Sequence, residues 1–222
     1  LKPNPKRSSP SSRVQRIDPT QPDRHLIDVA VDAVRQGGVI AFPTRCLYGL
    51  AANALDPEAV AKVFAAKRRP PEKPLLILIR DRGELAKLVK RIPDAATALM
   101  DHFWPGNITL IFAAKAHLPE ALTAGSGKIG IRLPLHPVAR ALTGAADFPL
   151  TGTSANVSGQ PGCFRTDDLN SELARRLDLI LDAGPLKGGA GSTVVDVTQT
   201  PPVILREGEV AAALIFKLLA NF

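Results

Sequence analysis

Apolar residues run along this chain in two alternating rhythms, short unbroken runs and a three-to-four-residue stagger. Leu26, Ala30, Ala33 and Val34 fall at helical spacing, and Gly37-Gly38 ends that segment. A short buried strand is predicted at 39–42. Asp56 and Pro57 make an N-cap and first helical residue, opening a helix that runs to about Ala66. The pattern then predicts a buried strand at 75–79, helices at 82–90 and 95–103, and strands at 108–113 and 129–133. His136-Pro137 opens a helix ending near Ala146. Strands at 150–153, 179–181, 193–197 and 203–205 and helices at 169–176 and 210–219 complete the reading. Several strands follow one another with no helix between them. That predicts an α/β (α+β-like) fold, a twisted, mixed open sheet flanked by helices, in one domain over 23–222. No internal repeat is present.

Residues 1–22 break both rhythms. They are rich in Pro, Ser, Lys and Arg and read as a flexible basic tail, the alternative being an arm that grips RNA. This matters for the charge. The net +7 includes five basic residues and no acid among the first sixteen, leaving 23 basic against 21 acidic residues elsewhere. Basicity is mostly a property of the tail, so it argues only weakly for nucleic-acid binding.

With 222 residues, 45% of them hydrophobic, the chain can bury a substantial core. Cys46 and Cys163 stand far apart and form no CxxC pair, and His25, His102, His117 and His136 are scattered without metal-ligand spacing. Neither a structural disulfide nor a protein-held metal is expected. No apolar run is long enough to span a bilayer and no signal-peptide pattern opens the chain, so a cytoplasmic location without membrane attachment is expected by default. Leu1 stands where a Met would open an untrimmed chain.

Candidate chemistry gathers at strand ends. Thr44 follows Pro43 at the end of an apolar strand, placed either to meet a ligand or simply to make a turn. Lys67, Arg68, Arg69 and Lys73 lie between a helix C-terminus and the next buried strand. Helix-dipole compensation accounts for Lys67 and Arg68, but less well for a basic loop running straight to a sheet edge, where α/β proteins bind ligands. Arginine suits bidentate recognition of phosphate or carboxylate, and lysine supplies a point charge. A Pro-Gly turn, Trp104-Pro-Gly-Asn-Ile-Thr109, places Thr109 in a strand, facing either a pocket or the sheet. Arg132 sits inside an apolar strand, where its charge needs an internal acid or a bound carboxylate. Ser154 and Asn156 lie in a hydroxyl- and amide-rich turn that offers donors or is a structural Asx turn. The Gly-rich stretch 184–193 lacks the Gly-Lys of a P-loop and leads into a strand; Ser192, Thr193 and Arg206 complete the polar set. There is no GxSxG, so a Ser-His-Asp hydrolase is a poor fit.

In order, Pro43-Thr-Arg-Cys-Leu-Tyr-Gly-Leu50, Lys67-Arg-Arg-Pro70 with Pro74-Leu75, the Pro-Gly turn, Ile131-Arg-Leu-Pro134, Ser154-Ala-Asn-Val-Ser-Gly159, Ser192-Thr-Val-Val-Asp196 and Arg206-Glu-Gly208 resemble the motifs of the YrdC-like family, the threonylcarbamoyl-AMP synthases. Seven motifs match over about 26–210. The chain departs from that pattern at Arg45, where an acid is usual, at Cys46, at Asn107 and at Glu207. Thr44 is intact. The length resembles the single-domain type of that family.

The resemblance implies the YrdC-like fold with a central concave basic cleft. It also implies a nucleotidyltransferase reaction in which L-threonine, bicarbonate and ATP, with Mg2+, give threonylcarbamoyl-AMP and pyrophosphate. A partner transferase would then place the group on tRNA as N6-threonylcarbamoyladenosine. By the same match, Lys67, Arg69, Ser154 and Asn156 would be catalytic, surrounding the carbamate and the phosphates. Thr44, Arg132 and Thr193 would bind threonine, and Lys73, Thr109 and Arg206 would join the catalytic four in holding ATP. No dedicated metal site is implied. The alternatives are a non-catalytic module binding tRNA or double-stranded RNA on a basic concave surface, and the related carbamoyl-transfer domain of hydrogenase maturation proteins. The latter usually sits in longer chains with zinc-finger motifs absent from this one. Weak tRNA binding is compatible with the synthase reading as well.

Overall fold

The structure is a computed structural model and describes residues 13–220. Eleven strands and eight α-helices form two mixed sheets with helices on them. In chain order these are β1 (Val14–Arg16), α1 (Arg24–Arg35), β2 (Ile40–Pro43), β3 (Tyr48–Ala51), α2 (Pro57–Lys67) and β4 (Ile77–Leu78). Then come α3 (Leu85–Leu88), α4 (Asp94–Phe103), β5 (Ile108–Ala113), α5 (Glu120–Thr123), β6 (Lys128–Arg132) and α6 (Pro137–Ala145). The last are β7 (Leu150–Thr151), β8 (Thr153–Ser154), α7 (Ser171–Ala174), β9 (Leu179–Asp182), β10 (Thr193–Asp196), β11 (Val203–Arg206) and α8 (Ala212–Leu219).

One sheet has the order β1-β9-β2-β3-β8, the other β11-β10-β5-β6-β4-β7. Each mixes parallel pairs, such as β2 with β9 and β5 with β10, with antiparallel ones, such as β2 with β3 and β5 with β6. The mixed α/β class expected from the pattern therefore holds, but the strands divide between two sheets rather than forming one. The division runs through the segment predicted as a single strand at 150–153. Gly152 breaks it, so that β7 pairs with β4 in one sheet and β8 with β3 in the other. A Cβ on Gly152 would lie 2.5 Å from a Leu76 methyl and under 3 Å from Leu78, so only glycine lets the chain cross there without moving a neighbour.

Helix α1 shows how the local signals act. The Asp23 side chain accepts a hydrogen bond from the Leu26 N–H, and Gly37, at φ +77°, ends the helix by donating to the Val34 carbonyl. Its deeply buried residues are Ile27, Ala30, Val31 and Val34; Leu26 and Ala33 lie at the edge of that face. The helix is rotated slightly from the expected face because it packs against α6 and β2 together. These elements enclose one core with Phe42 and Leu142, while α2, α4 and α8 pack with β3, β5 and β6 around a larger one.

Several elements differ from the pattern. Residues 82–90 form a 3₁₀ turn and the single turn α3, and 169–176 reduce to α7. Strand β3 is built where the apolar pattern predicts no strand, and β1 adds to β9 inside the stretch expected to be tail. The tail expectation for 1–12 lies outside the described residues. Cys46 and Cys163 are buried free thiols. Among the described residues no helix is long and apolar enough to cross a membrane.

Candidate active site at the junction of the two sheets

The crossover at Gly152 leaves a cavity of about 620 Å³ where the sheets meet, within the size range of small-molecule sites. Phe42, Thr44, Tyr48, Gly49 and Ser154 line it from the first sheet. Thr109, Lys128, Arg132, Val194, Asp196, Leu205 and Arg206 line it from the second, and Arg69 and Ser192 close it from loops.

Arg69 reaches the cavity because α2 stops abruptly. Arg68 takes the left-handed conformation at φ 49°, turning the chain immediately after Lys67. The Arg69 Nε then donates to the Lys73 carbonyl at 2.9 Å and a terminal nitrogen to Pro74 O at 2.7 Å. Arg132 comes from the end of β6. Its Nε donates to Gly106 O at 3.0 Å and one terminal nitrogen to the Asn107 side-chain oxygen. Burial lowers its pKa to about 10, which still leaves it cationic at neutral pH. Arg206, on β11, donates from Nε and a terminal nitrogen to Ser192 O at 3.2 and 2.7 Å, and the Ser192 hydroxyl meets that of Thr109 at 2.8 Å. Among the described residues no carboxylate lies within ion-pairing distance of Arg69, Arg132 or Arg206. Carbonyl groups orient these cations but do not neutralise them, so an anionic ligand would gain charge-assisted bonds without displacing a protein acid.

Two hydroxyls of the site are already engaged. Thr44 Oγ1 donates to Leu47 O at 2.6 Å, closing its own turn, and Ser154 Oγ donates to the Asn156 side-chain oxygen. Each hydroxyl oxygen keeps its capacity to accept a bond.

The structure thus brings Thr44, Arg69, Thr109, Arg132, Ser154 and Arg206 to one wall-to-wall space. It does not place Lys67, Lys73, Asn156 or Thr193 on that lining. Lys67 is 1% exposed and its ammonium donates to Ser154 O, to Asn156 O at 2.7 Å and to Asn156 Oδ1 at 3.2 Å. It holds the Ser154–Asn156 turn from behind, and burial together with Arg69 pushes its pKa down to about 7. Asn156 donates its amide to the Val157 and Gln160 carbonyls. The Thr193 hydroxyl donates to Val210 O and accepts from Gly208 N at 2.9 Å. Lys73 is exposed, and its backbone serves Arg69.

Two charged lining residues, Asp196 and Lys128, were given no site role from the sequence, although Asp196 closes the Ser192–Asp196 motif. Asp196, nearly buried, pairs with Lys128 at 2.8 Å and also takes bonds from Thr198 and Gln199. Burial opposes its ionisation, but these donors win and hold it at about 2. An acid directly after the apolar pair Val194-Val195 was a usable signal for Asp196. Lys128 had none, since its partner is 68 positions away and on a strand separated from its own by β5.

A family model described as Telomere recombination, covering Sua5, yciO and yrdC proteins, matches residues 32–208. The chain is 37% identical over 195 residues to the threonylcarbamoyl-AMP synthase of Pyrococcus abyssi, covering 88% of this chain and 57% of that one. It is 36% identical over 202 residues to a putative threonylcarbamoyl-AMP synthase of Mycobacterium tuberculosis, covering 91% and 92%. It also resembles the crystal structure of P. abyssi Sua5 complexed with L-threonine, with a TM-score of 0.88 at 35% identity over 92% of this chain and 60% of that one. Against the first curated relatives it matches, the chain spans only 57% and 52% of their length.

Proposed function

Because this chain belongs to the family of Sua5, YciO and YrdC proteins, we propose that it is a threonylcarbamoyl-AMP synthase, a nucleotidyltransferase acting on L-threonine, bicarbonate and ATP. The observation that carries this reading is the convergence of three guanidinium groups, from three separate elements and without acid partners, on one cavity. The substrates bring a carboxylate, a carbamate and a triphosphate to the same place, and each is an anion. The L-threonine complex of the P. abyssi protein supports an amino-acid subsite in the corresponding fold.

In this reading Arg132 pairs with the threonine carboxylate, beside Thr44. The neutral amine adds to CO2 with release of a proton, or to bicarbonate with loss of water, and gives a carbamate. A carbamate oxygen then attacks the α-phosphorus in line and pyrophosphate leaves. The protein supplies no nucleophile; it positions the reactants and neutralises charge. Arg69 and Ser154 face the carbamate and phosphates, and Arg206, Thr109 and Ser192 hold the nucleotide. Lys67 and Asn156 act one layer back, fixing the Ser154 turn. Thr193 likewise supports rather than contacts, locking β10 to the segment after β11. Among the described residues no group of three or more His, Cys, Asp or Glu side chains gathers as a metal site. Mg2+ arrives on the ATP phosphates, as substrate. We assign the product to a tRNA-modifying transferase in the cytoplasm, with the basic segment 1–22 as a candidate weak tRNA contact.

The test is pyrophosphate release from ATP with each substrate omitted in turn. The reading expects release only when threonine and bicarbonate are both present, and its loss in Arg132→Ala. Release indifferent to threonine rejects it. Steeply salt-dependent tRNA binding with no ATP turnover would instead favour the RNA-binding alternative.

A further inference from the structure

Behind Arg132, outside the cavity lining, Arg45, Cys46, Asn107, Lys187 and Glu209 form a cluster. Its centre is Glu209, just beyond β11. One carboxylate oxygen takes the Arg45 Nε at 2.8 Å and the Lys187 ammonium at 2.7 Å. The other takes the Asn107 amide N–H and a weak contact from the Cys46 thiol at 3.6 Å. Asn107 in turn accepts from Arg132 through its side-chain oxygen. Asn107 and Arg132 are 7% and 8% exposed, and the Glu209 side chain 16%.

We propose that Glu209 and Asn107 form a positioning relay that aims Arg132 into the cavity without sequestering its charge. The proposal rests on the reading that Arg132 receives a ligand carboxylate. An amide held between a carboxylate and a guanidinium has only one workable orientation. Its NH2 must face the anion and its oxygen the cation, because the reverse places like poles together. The amide dipole therefore transmits the fixed position of Glu209 to the guanidinium plane. A carboxylate touching Arg132 directly would form the forked pair and occupy both terminal nitrogens. The interposed amide takes a single terminal donor, and Gly106 O takes Nε, so the remaining terminal nitrogen is left for a ligand.

The surroundings fit this task. Arg45 and Lys187 neutralise Glu209 from the turn between β2 and β3 and from the Gly-rich segment before β10. Burial opposes ionisation of Glu209, but the bonds from Lys187 and Asn107 hold its pKa below the ordinary glutamate value, so it is an anion at neutral pH.

The test compares Glu209→Gln, Asn107→Ala and their combination in the full chain. Glu209→Gln keeps the side-chain shape and carries the test if Asn107→Ala does not fold. The Arg132 Nε–Hε resonance, assigned by its loss in Arg132→Lys, is read in 15N-labelled protein without substrate. It should move in each single variant, and Glu209→Gln should add nothing once Asn107 is gone. In steady-state kinetics each single variant should raise KM for threonine about tenfold, as expected for losing one bond to a charged group. The KM for ATP and kcat should stay within about twofold, and the double variant should match Asn107→Ala. An unmoved Arg132 resonance, or effects that multiply in the double variant, overturns the relay. Wild-type protein lacking threonine-dependent pyrophosphate release would remove the proposed reaction, yet the resonance would still decide the relay.

Discussion

Replacing Gly208 by alanine should damage both stability and nucleotide binding, although it adds one methyl group. An ideal Cβ at Gly208 would stand 2.3 Å from the Gly191 carbonyl oxygen and 2.5 and 2.7 Å from the Ser192 carbonyl carbon and oxygen. Non-bonded heavy atoms settle near 3.5–4.0 Å, so the strands must part by about 1 Å. All three obstacles are backbone, which has no rotamer to yield. Overpacking of this kind costs about 1–3 kcal/mol. Two local bonds are strained with it, Gly208 N to Thr193 Oγ1 and Glu209 N to Gly191 O, both 2.9 Å, and each contributes about 1 kcal/mol. The total is about 3–5 kcal/mol, or a fall in Tm of about 6–20 °C for a domain of this size. Ser192 O, the anchor of Arg206, would move as well, so KM for ATP should rise. The comparison is Gly144→Ala near the end of α6, where nothing lies within 4 Å of the added Cβ. Removing a helical glycine there should stabilise by up to about 1 kcal/mol. Calorimetry or circular dichroism melting of both variants decides the matter. Equal Tm changes in the two, or no fall in Gly208→Ala, would refute the steric reasoning.

Lys67→Met should lower stability by about 2 kcal/mol, since the Ser154 and Asn156 carbonyls lose their buried donor; an unchanged denaturant midpoint would contradict that role. The same lysine predicts a pH dependence. Its folded pKa of about 7 lies below the ordinary 10.5, so the unfolded chain binds the extra proton between those values. Unfolding free energy should therefore rise with pH across that window, by at most about 1.4 kcal/mol per pH unit, and Lys67→Met should flatten the rise. Asp196 places its window in acid. Its folded pKa of about 2 lies below the ordinary 3.8, so its contribution is present above about pH 4 and drains away as pH falls toward 2. Acid titration of Asp196→Asn should lack that part of the loss, and an identical acid limb would exclude the Lys128–Asp196 pair as its source. Arg69→Ala should abolish most threonine-dependent pyrophosphate release while shifting Tm by less than about 3 °C, because a half-buried guanidinium bonded to loop carbonyls contributes little to folding. A variant that keeps its rate would remove Arg69 from the site.

Local signals carried much of the fold. Asp23, Gly37, Asp56, Pro57 and His136 set helix ends through bonds made within a few residues, and the structure uses each of them as a cap, a stop or a first-turn residue. The apolar runs located strands for the same reason, since a strand buried on both faces must be continuously apolar wherever it lies. Lengths were less legible. The run at 75–79 pairs over only two residues, because its neighbours decide how far the ladder extends.

The chain by itself determined most of its element types, the mixed α/β class and a set of polar residues at strand ends. It could not determine that Gly152 hands the chain from one sheet to another, nor that Lys67, the most conspicuous basic candidate, turns inward while Arg69 turns to the cavity. Those outcomes depend on sheet pairing and on the left-handed turn at Arg68. Nor could it join Arg45, Asn107, Lys187 and Glu209, four residues spread over 165 positions whose meeting is an ion-pair and hydrogen-bond geometry. Caps and apolar runs are energies settled within a few residues; convergence of charge is an energy of the assembled fold, and only the packed sheets supply the distances that set it.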